Sequence, residues 1–167
     1  MRSRPLRLRG LRSRPAWRTR LAAGTLVLGL LVGNTMLRTG DAVGAGGLIL
    51  IDDCADPFSV EAVRASMGAV FTQQVAQARW DEFLPWLRGG PGQLVAASLR
   101  EAVPYRGAPY AAPCFVMVGN ESRGLPEDYE RACDLRVTMP MKGRADSLNA
   151  AVAGAVLAYE VLDKLDG

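Results

Sequence analysis

Two stretches decide the fold: FVMVGNESRGLP at residues 115–126 and VTMPMKGRADSLN at residues 137–149. Each begins as an apolar strand and continues into a glycine-containing loop, where backbone amides and small polar side chains can surround a ligand. In α/β sheets, ligands usually bind in the loops at the carboxyl ends of the strands. The two loops therefore predict one shared ligand site.

Outward from these loops, apolar runs of strand length alternate with helical patterns along the chain. Strands are expected at residues 48–51, 71–75, 93–98, 114–118 and 135–139. Helices are expected at residues 59–70 (with Ser59 as N-cap), 80–88, 126–133 and 147–162. This alternation predicts an α/β fold with a mostly parallel sheet and helices on both faces.

The composition limits the chemistry that the site can use. The chain of 167 residues has no histidine, which excludes histidine general bases, Ser/His/Asp triads and histidine metal sites. Cys54, Cys114 and Cys133 are widely spaced and form no CxxC pair, so we expect reduced, buried thiols. With 49% hydrophobic residues, the chain can bury the core of one domain.

The positive charge is concentrated at the N-terminus. Residues 1–20 contain eight arginines and no acid, whereas the rest of the chain has 12 basic and 17 acidic residues. Such an arm could hold phosphates, or it could be a disordered extension. The apolar run at residues 21–33 follows; it is too short to span a bilayer, and we favour a buried first strand over a secretory signal.

Three motifs in order resemble the SpoU/TrmH-type RNA 2′-O-methyltransferases of the SPOUT superfamily. Residues 119–125 (GNESRGL) match the second motif of that family, residues 139–153 (MPMKGRADSLNAAVA) its third, and residues 37–44 (LRTGDAVG) part of its first. The resemblance runs from about Thr35 to Leu162. It divides the chain into a divergent N-terminal segment, residues 1–34, and a methyltransferase domain, residues 35–167.

The resemblance implies a C-terminal trefoil knot, an obligate homodimer and S-adenosylmethionine (SAM) as cofactor, with no metal. We expect Gly119 and Gly124 to adopt positive φ angles and let the backbone approach the cofactor. Met139 and Leu148 offer apolar surface for its adenine ring. The full set of expected cofactor-binding residues is Ser98, Gly119, Asn120, Gly124, Met139 and Leu148.

The same resemblance implies that Arg38, Glu121, Ser147 and Asn149 form the catalytic set. Arg38 matches the family arginine that activates the ribose hydroxyl, although electrostatic stabilisation of the forming alkoxide suits a guanidinium better than proton removal. Glu121 would anchor Arg38 or cap a helix. Ser147 could simply be the N-cap of the last helix, whereas Asn149, placed inside that helix, would have a polar role near the cofactor.

The leading hypothesis is a cytoplasmic, SAM-dependent methyltransferase that modifies a ribose 2′-hydroxyl of tRNA or rRNA and needs no membrane. One alternative is a catalytically weakened SAM- or RNA-binding remnant of the same fold, because Val32 stands where the first motif has asparagine. A shifted reading frame upstream of about Thr35 would also explain that difference. A third alternative, a secreted or tethered protein, rests on the arginine arm and residues 21–33.

Overall fold

The chain folds into strands and helices that alternate along the sequence. The computed structural model describes residues 26–29, 33–120, 123–144 and 146–166, with side chains from residue 36 onward. The strands in this part of the chain are β1 (Leu26–Gly29), β2 (Leu48–Ile51), β3 (Val75–Ala78), β4 (Gln93–Ala97), β5 (Val103–Pro104), β6 (Cys114–Val118) and β7 (Leu135–Thr138). The helices are α1 (Gly33–Ala42), α2 (Val60–Ala65), α3 (Ala69–Thr72), α4 (Trp80–Arg88), α5 (Glu127–Arg131) and α6 (Ala150–Asp166).

These strands form one parallel sheet in the order β3-β2-β1-β6-β4-β7-β5. β1 is an inner strand, where Val27 pairs with Leu48 of β2 on one side and with Val116 of β6 on the other. β5, only two residues long, forms an edge. The predicted α/β class with a parallel sheet is confirmed.

Helices cover both faces of the sheet, as the alternation of side chains on β6 demonstrates. Phe115 and Met117 belong to the same core cluster as Phe83 of α4, with the Phe83 and Phe115 ring centroids 6.3 Å apart. Val116, between them, belongs to the cluster on the opposite face with Leu157 of α6. Because both faces are covered, every residue of β6 is buried, and an uninterrupted apolar run is typical of such a strand.

The helix predicted for residues 59–70 is present but interrupted. The Ser59 hydroxyl accepts a hydrogen bond from the Ala62 amide at 3.2 Å and caps α2, as predicted. The chain then turns at Met67 and Gly68, whose φ angles are 52° and 91°. Since left-handed backbone cannot continue a helix, α3 begins as a separate short element.

The strand predicted at residues 71–75 is wrong. α3 extends to Thr72, and β3 begins only at Val75. Val70 packs into the core with Met36 of α1, and the Thr72 hydroxyl donates a 2.9 Å hydrogen bond to Asp41 of α1. The local pattern of residues 71–75 fits either a strand or a helix, and tertiary contacts with α1 determine which of the two forms.

The apolar run at residues 21–33 contributes β1, so the expected first strand is confirmed for Leu26–Gly29. The sheet thus includes a strand from upstream of Thr35, and the boundary between residues 1–34 and 35–167 stays a prediction. Residues 1–25 and Val32 lie outside the described residues. In the part of the chain that is described, every helix is too short or too polar to cross a bilayer.

Just before β7, the Asp134 side chain forms hydrogen bonds with α4 and β4. Its carboxylate accepts two hydrogen bonds from Arg88 Nη1, at 2.9 and 2.8 Å, and one from the Leu94 amide at 2.7 Å. Partial burial of Asp134 raises its pKa, but the hydrogen bonds from Arg88 and Leu94 outweigh that effect and hold the pKa below its usual range. The end of α4 and the start of β4 are thereby tied to the turn that leads into β7.

We predict that Asp134→Asn lowers the free energy of unfolding by about 1–2 kcal/mol at neutral pH, because the charged acceptor is lost while both side chains are partly exposed. A carboxyl with a lowered pKa stabilises the fold above its unfolded pKa of about 3.9 and loses that effect as the pH falls through its folded pKa. The difference between wild type and variant in denaturant unfolding should therefore shrink in acid. Asp163→Asn, on the exposed surface of α6, is the control and should change little.

Candidate functional site

A cavity of about 320 Å³ opens at the carboxyl ends of β4, β6 and β7. Parallel strands end at the same edge of a sheet, so the loops that follow these three neighbouring strands converge there. The lining is mainly apolar with a few polar groups, which is typical of small-molecule sites. It comprises Ala97, Ser98, Leu99, Arg100, Val118, Gly119, Asn120, Arg123, Gly124, Leu125, Glu130, Val137, Thr138, Met139, Met141, Ser147, Leu148, Ala150 and Ala153.

The loop after β6 closes on itself through its backbone. The Asn120 amide donates to the Gly124 carbonyl at 3.1 Å, and the Gly124 amide donates to the Asn120 carbonyl at 2.8 Å. Gly124 has a φ of 67°, as expected, but the φ of Gly119 is not positive, so that part of the prediction is wrong. Gly119 is required for a different reason: a Cβ there would lie 2.3 Å from the Gly124 carbonyl carbon and 2.5 Å from the Leu125 nitrogen.

All six residues expected to bind the cofactor line this one cavity. Ser98 follows β4; Gly119, Asn120 and Gly124 belong to the loop after β6; and Met139 and Leu148 belong to the loop after β7. The two sequence motifs and the end of β4 thus enclose a common space. The individual contacts of these residues with a ligand stay predictions.

The start of α6 differs from the sequence prediction. The helix begins at Ala150 rather than Ser147, and Asn149 is its N-cap: Asn149 Oδ1 accepts hydrogen bonds from the Ala151 amide at 2.9 Å and the Val152 amide at 3.2 Å. The alternative that Ser147 is only the N-cap is therefore ruled out, and the premise that Asn149 lies inside the helix is wrong. Ser147 lines the cavity, whereas Asn149 is not among the lining residues.

The other two predicted catalytic residues are Arg38 and Glu121. Arg38 is exposed on α1 and does not line the cavity. α1 nevertheless packs closely behind it, since a Cβ on Gly154 would lie 2.8 Å from Met36 Sδ, and the neighbouring Ala153 lines the cavity. Glu121 lies outside the described residues.

Sequence reasoning missed Glu130, a buried carboxylate in the cavity wall. Glu130 belongs to α5, whose sequence EDYER is polar at almost every position, so no periodicity distinguishes the one buried acid. Glu130 Oε1 accepts a 2.7 Å hydrogen bond from the Ser98 hydroxyl. The guanidinium of Arg100 lies 3.7 Å from Glu130 Oε2. These three residues place polar and charged groups next to one another in a mainly apolar cavity.

Cys54, Cys114 and Cys133 are free thiols, as expected, but Cys54 and Cys133 are half-buried rather than buried. Cys114 is buried in β6, and burial raises its pKa to about 12. Burial likewise raises the pKa of the half-buried Cys133 to about 12, with a smaller contribution from Asp134. Thiols with such pKa values stay protonated at neutral pH and are poor nucleophiles. Among the described residues, no three histidine, cysteine, aspartate or glutamate side chains are grouped so as to hold a metal.

Comparison with known proteins identifies relatives along most of the chain. The model of the SpoU rRNA Methylase family matches residues 32–159. The 23S rRNA (guanosine(2553)-2′-O)-methyltransferase RlmP of Bacillus subtilis is 32% identical over 128 residues, which is 77% of this chain and 52% of that protein. This chain therefore spans about half the length of the curated relatives it matches.

Solved structures share the fold. The AdoMet-bound rRNA methyltransferase from Sinorhizobium meliloti has a TM-score of 0.82 and 36% identity, covering 92% of this chain and 62% of that one. The SpoU methyltransferase AviRb from Streptomyces viridochromogenes, in complex with the cofactor AdoMet, has a TM-score of 0.78 and 29% identity. The match with AviRb covers 89% of this chain and 63% of that one.

We predict that Gly119→Ala strains the loop after β6, because the new methyl group would overlap backbone atoms that cannot move without opening the loop. Overpacking of this kind costs about 1–3 kcal/mol, measurable by denaturant unfolding, and the Asn120 and Gly124 amides should exchange hydrogen faster. Gly143→Ala is the control in the second loop, since a Cβ there meets no atom within 4 Å. Equal behaviour of the two variants would contradict the close backbone contact.

Proposed function

Because the chain belongs to the SpoU rRNA methylase family, we propose that it is a SAM-dependent methyltransferase that acts on a ribose 2′-hydroxyl of rRNA or tRNA. The single observation that carries the proposal is the convergence of both loop motifs and the end of β4 on one cavity. Relatives named as 2′-O-methyltransferases of 23S rRNA support the RNA substrate. Because this chain spans only part of those proteins, the activity, substrate and partners are all proposals.

The cavity suits SAM in size and chemistry. Its volume of about 320 Å³ lies within the usual range for small-molecule sites, and Val118, Leu125, Met139 and Leu148 offer apolar surface for a purine ring. The backbone groups of the loops after β6 and β7 supply donors and acceptors for the polar edge of the ring. When bound, the cofactor supplies an electrophilic methyl group on a sulfonium. The protein then has to orient the ribose hydroxyl towards that methyl group, and positioning alone can lower a barrier substantially.

Arg38 is proposed to act on the RNA side of the reaction. A guanidinium is a cation and a poor base, so Arg38 would hold a phosphate or stabilise the developing negative charge on the ribose oxygen rather than remove the proton. Its exposure on α1, outside the lining of the cavity, supports contact with a bulky substrate rather than with the cofactor. Glu121 is proposed to anchor this arginine or its counterpart in a second subunit.

A homodimer is proposed to complete the site. Val152 and Tyr159 lie two turns apart on the same side of α6 and are 49% and 53% exposed, and Leu148, just before the helix, is 40% exposed. A contiguous apolar surface of this kind favours burial against a partner. Since Leu148 also lines the cavity, a second copy packed on this face would lie next to the bound cofactor.

The trefoil knot is likewise a proposal. In the sheet, β4 separates β6 from β7, yet α6, which follows β7, packs back against β6. A chain that crosses a neighbouring strand and returns in this way is compatible with a threaded C-terminus, which is rare among folds.

The arginine-rich residues 1–20 would add non-specific attraction for RNA phosphates. A cytoplasmic location is proposed because the RNA substrate is there.

A catalytically weakened remnant is the second candidate. It is favoured by Val32, which replaces the asparagine of the first motif in the resemblance to the family. Titration calorimetry with SAM, followed by transfer of labelled methyl groups to bulk RNA, separates the two candidates. Binding with transfer supports the enzyme, binding without transfer supports a SAM-binding remnant, and no SAM binding refutes both the enzyme and a SAM-binding remnant.

We predict that Arg38→Ala reduces methyl transfer by roughly 10²–10³-fold, the usual cost of removing a group that stabilises transition-state charge, while SAM affinity stays near that of wild type. The rate is measured under saturating SAM, and the affinity by calorimetry. Arg79→Ala is the matched control, because Arg79 is an exposed arginine paired with Asp81 at the start of α4. An equal loss of cofactor affinity would contradict a role on the RNA side.

Replacements of Asn149 separate helix capping from catalysis. Asn149→Ala should lower the free energy of unfolding by about 1 kcal/mol, because the cap of α6 is lost. Asn149→Asp keeps an oxygen acceptor and should preserve stability, but it removes the amide donor. We expect both variants to lose methyl transfer; full activity of Asn149→Asp would limit this residue to the cap.

A further inference from the structure

We propose that Glu130 is the counter-ion for a positively charged centre of the bound cofactor. The inference rests on the proposed function in one respect, namely that the ligand of the cavity is SAM. SAM has two cationic centres, the sulfonium and the ammonium of its methionine part. Glu130 is the buried acid in the cavity wall among the described residues, and neither sequence motif includes it.

The hydrogen bonds around Glu130 fix its orientation and leave it able to accept more. The Ser98 hydroxyl accepts from the Arg100 amide at 3.0 Å, so its one proton is directed to Glu130 Oε1 at 2.7 Å. An ionised carboxylate can accept about four hydrogen bonds. Among the described residues, Ser98 is the donor that reaches this group, and Arg100 stays at ion-pair distance. The carboxylate is therefore held in place with acceptor capacity that a ligand can use.

The charge of Glu130 is only partly compensated within the described structure. Its side chain is 9% exposed, whereas that of Arg100 is 65% exposed, and the two charged groups are 3.7 Å apart. A solvated guanidinium is screened by water and contributes little to an ion pair. A buried carboxylate, by contrast, interacts strongly with any charge that shares its low-dielectric surroundings. A cationic ligand in the cavity would balance the part of the Glu130 charge that Arg100 does not.

Three nucleosides distinguish the charged centres of the cofactor. SAM carries the sulfonium and the ammonium, S-adenosylhomocysteine carries the ammonium alone, and 5′-methylthioadenosine carries neither. Binding of each to the full chain is measured by calorimetry for wild type, for Glu130→Gln and for Glu127→Gln. Glutamine keeps an oxygen that can accept from Ser98, so Glu130→Gln removes the charge with little change in shape. Glu127 is the matched control, because it is an exposed acid on the same helix.

Glu130→Gln should weaken SAM binding by roughly 10- to 100-fold, the effect of losing a charged hydrogen bond, and leave methylthioadenosine binding unchanged. Loss for SAM alone assigns the sulfonium, and loss for both SAM and S-adenosylhomocysteine assigns the ammonium; either result supports the proposal. Equal loss for all three nucleosides, or no loss for SAM, would overturn it. Unchanged methylthioadenosine binding also demonstrates that the variant is folded.

Arg100→Gln gives a second, independent test with the opposite sign. Removing the exposed guanidinium takes away its weak, water-screened attraction for Glu130, so SAM affinity should rise slightly. A fall in SAM affinity would overturn the proposal, because Arg100 would then be binding the cofactor itself. If wild type binds none of the three nucleosides, the proposed function fails, and this inference fails with it.

Discussion

The burial of β6 on both of its faces is the constraint on which the rest of the structure depends. Phe115 and Met117 pack against α4 on one face, and Val116 packs against α6 on the other. A shift of the strand by one residue would turn each of these side chains to the opposite face of the sheet. The position of Val118, the last residue of the strand, is fixed by the same packing. The loop from Gly119 to Gly124 therefore always begins at one point of the sheet edge. The neighbouring strands β1 and β4 both pair with β6 in parallel, so their register is fixed relative to it.

The cavity depends on this fixed strand end because the closed loop that follows β6 forms part of its wall. Gly119 brings the chain against Gly124 and Leu125 at a distance that no side chain could tolerate, and the paired hydrogen bonds between Asn120 and Gly124 keep the loop closed. The second loop is anchored at its far end by the capped start of α6. A ligand thus meets a preformed surface between two anchored loops, which reduces the conformational entropy that binding has to overcome.

The sequence predicted the strands with the strongest patterns and missed features decided by contacts distant in sequence. The five apolar residues Cys114–Val118 and the cap at Ser59 have clear local signals, and both are found as predicted. The segment around Thr72 has a pattern that suits a strand, but α1 holds it as a helix. Asn149 and Ser147 are both good caps, and local chemistry could not decide between them.

Glu130 could not be recognised, because only the fold determines which face of a polar helix is buried. The expected cofactor-binding residues came from the family resemblance, and their meeting at one cavity follows from the order of strands β6, β4 and β7.

The short edge strand β5 affects how copies of this protein can associate. Edge strands expose unpaired amides and carbonyls that invite another chain to extend the sheet. β5 is only two residues long, and its second residue, Pro104, has no amide proton to donate. Sheet extension and fibre growth are therefore discouraged at this border, and a stable assembly on this side has to rely on contacts other than strand pairing.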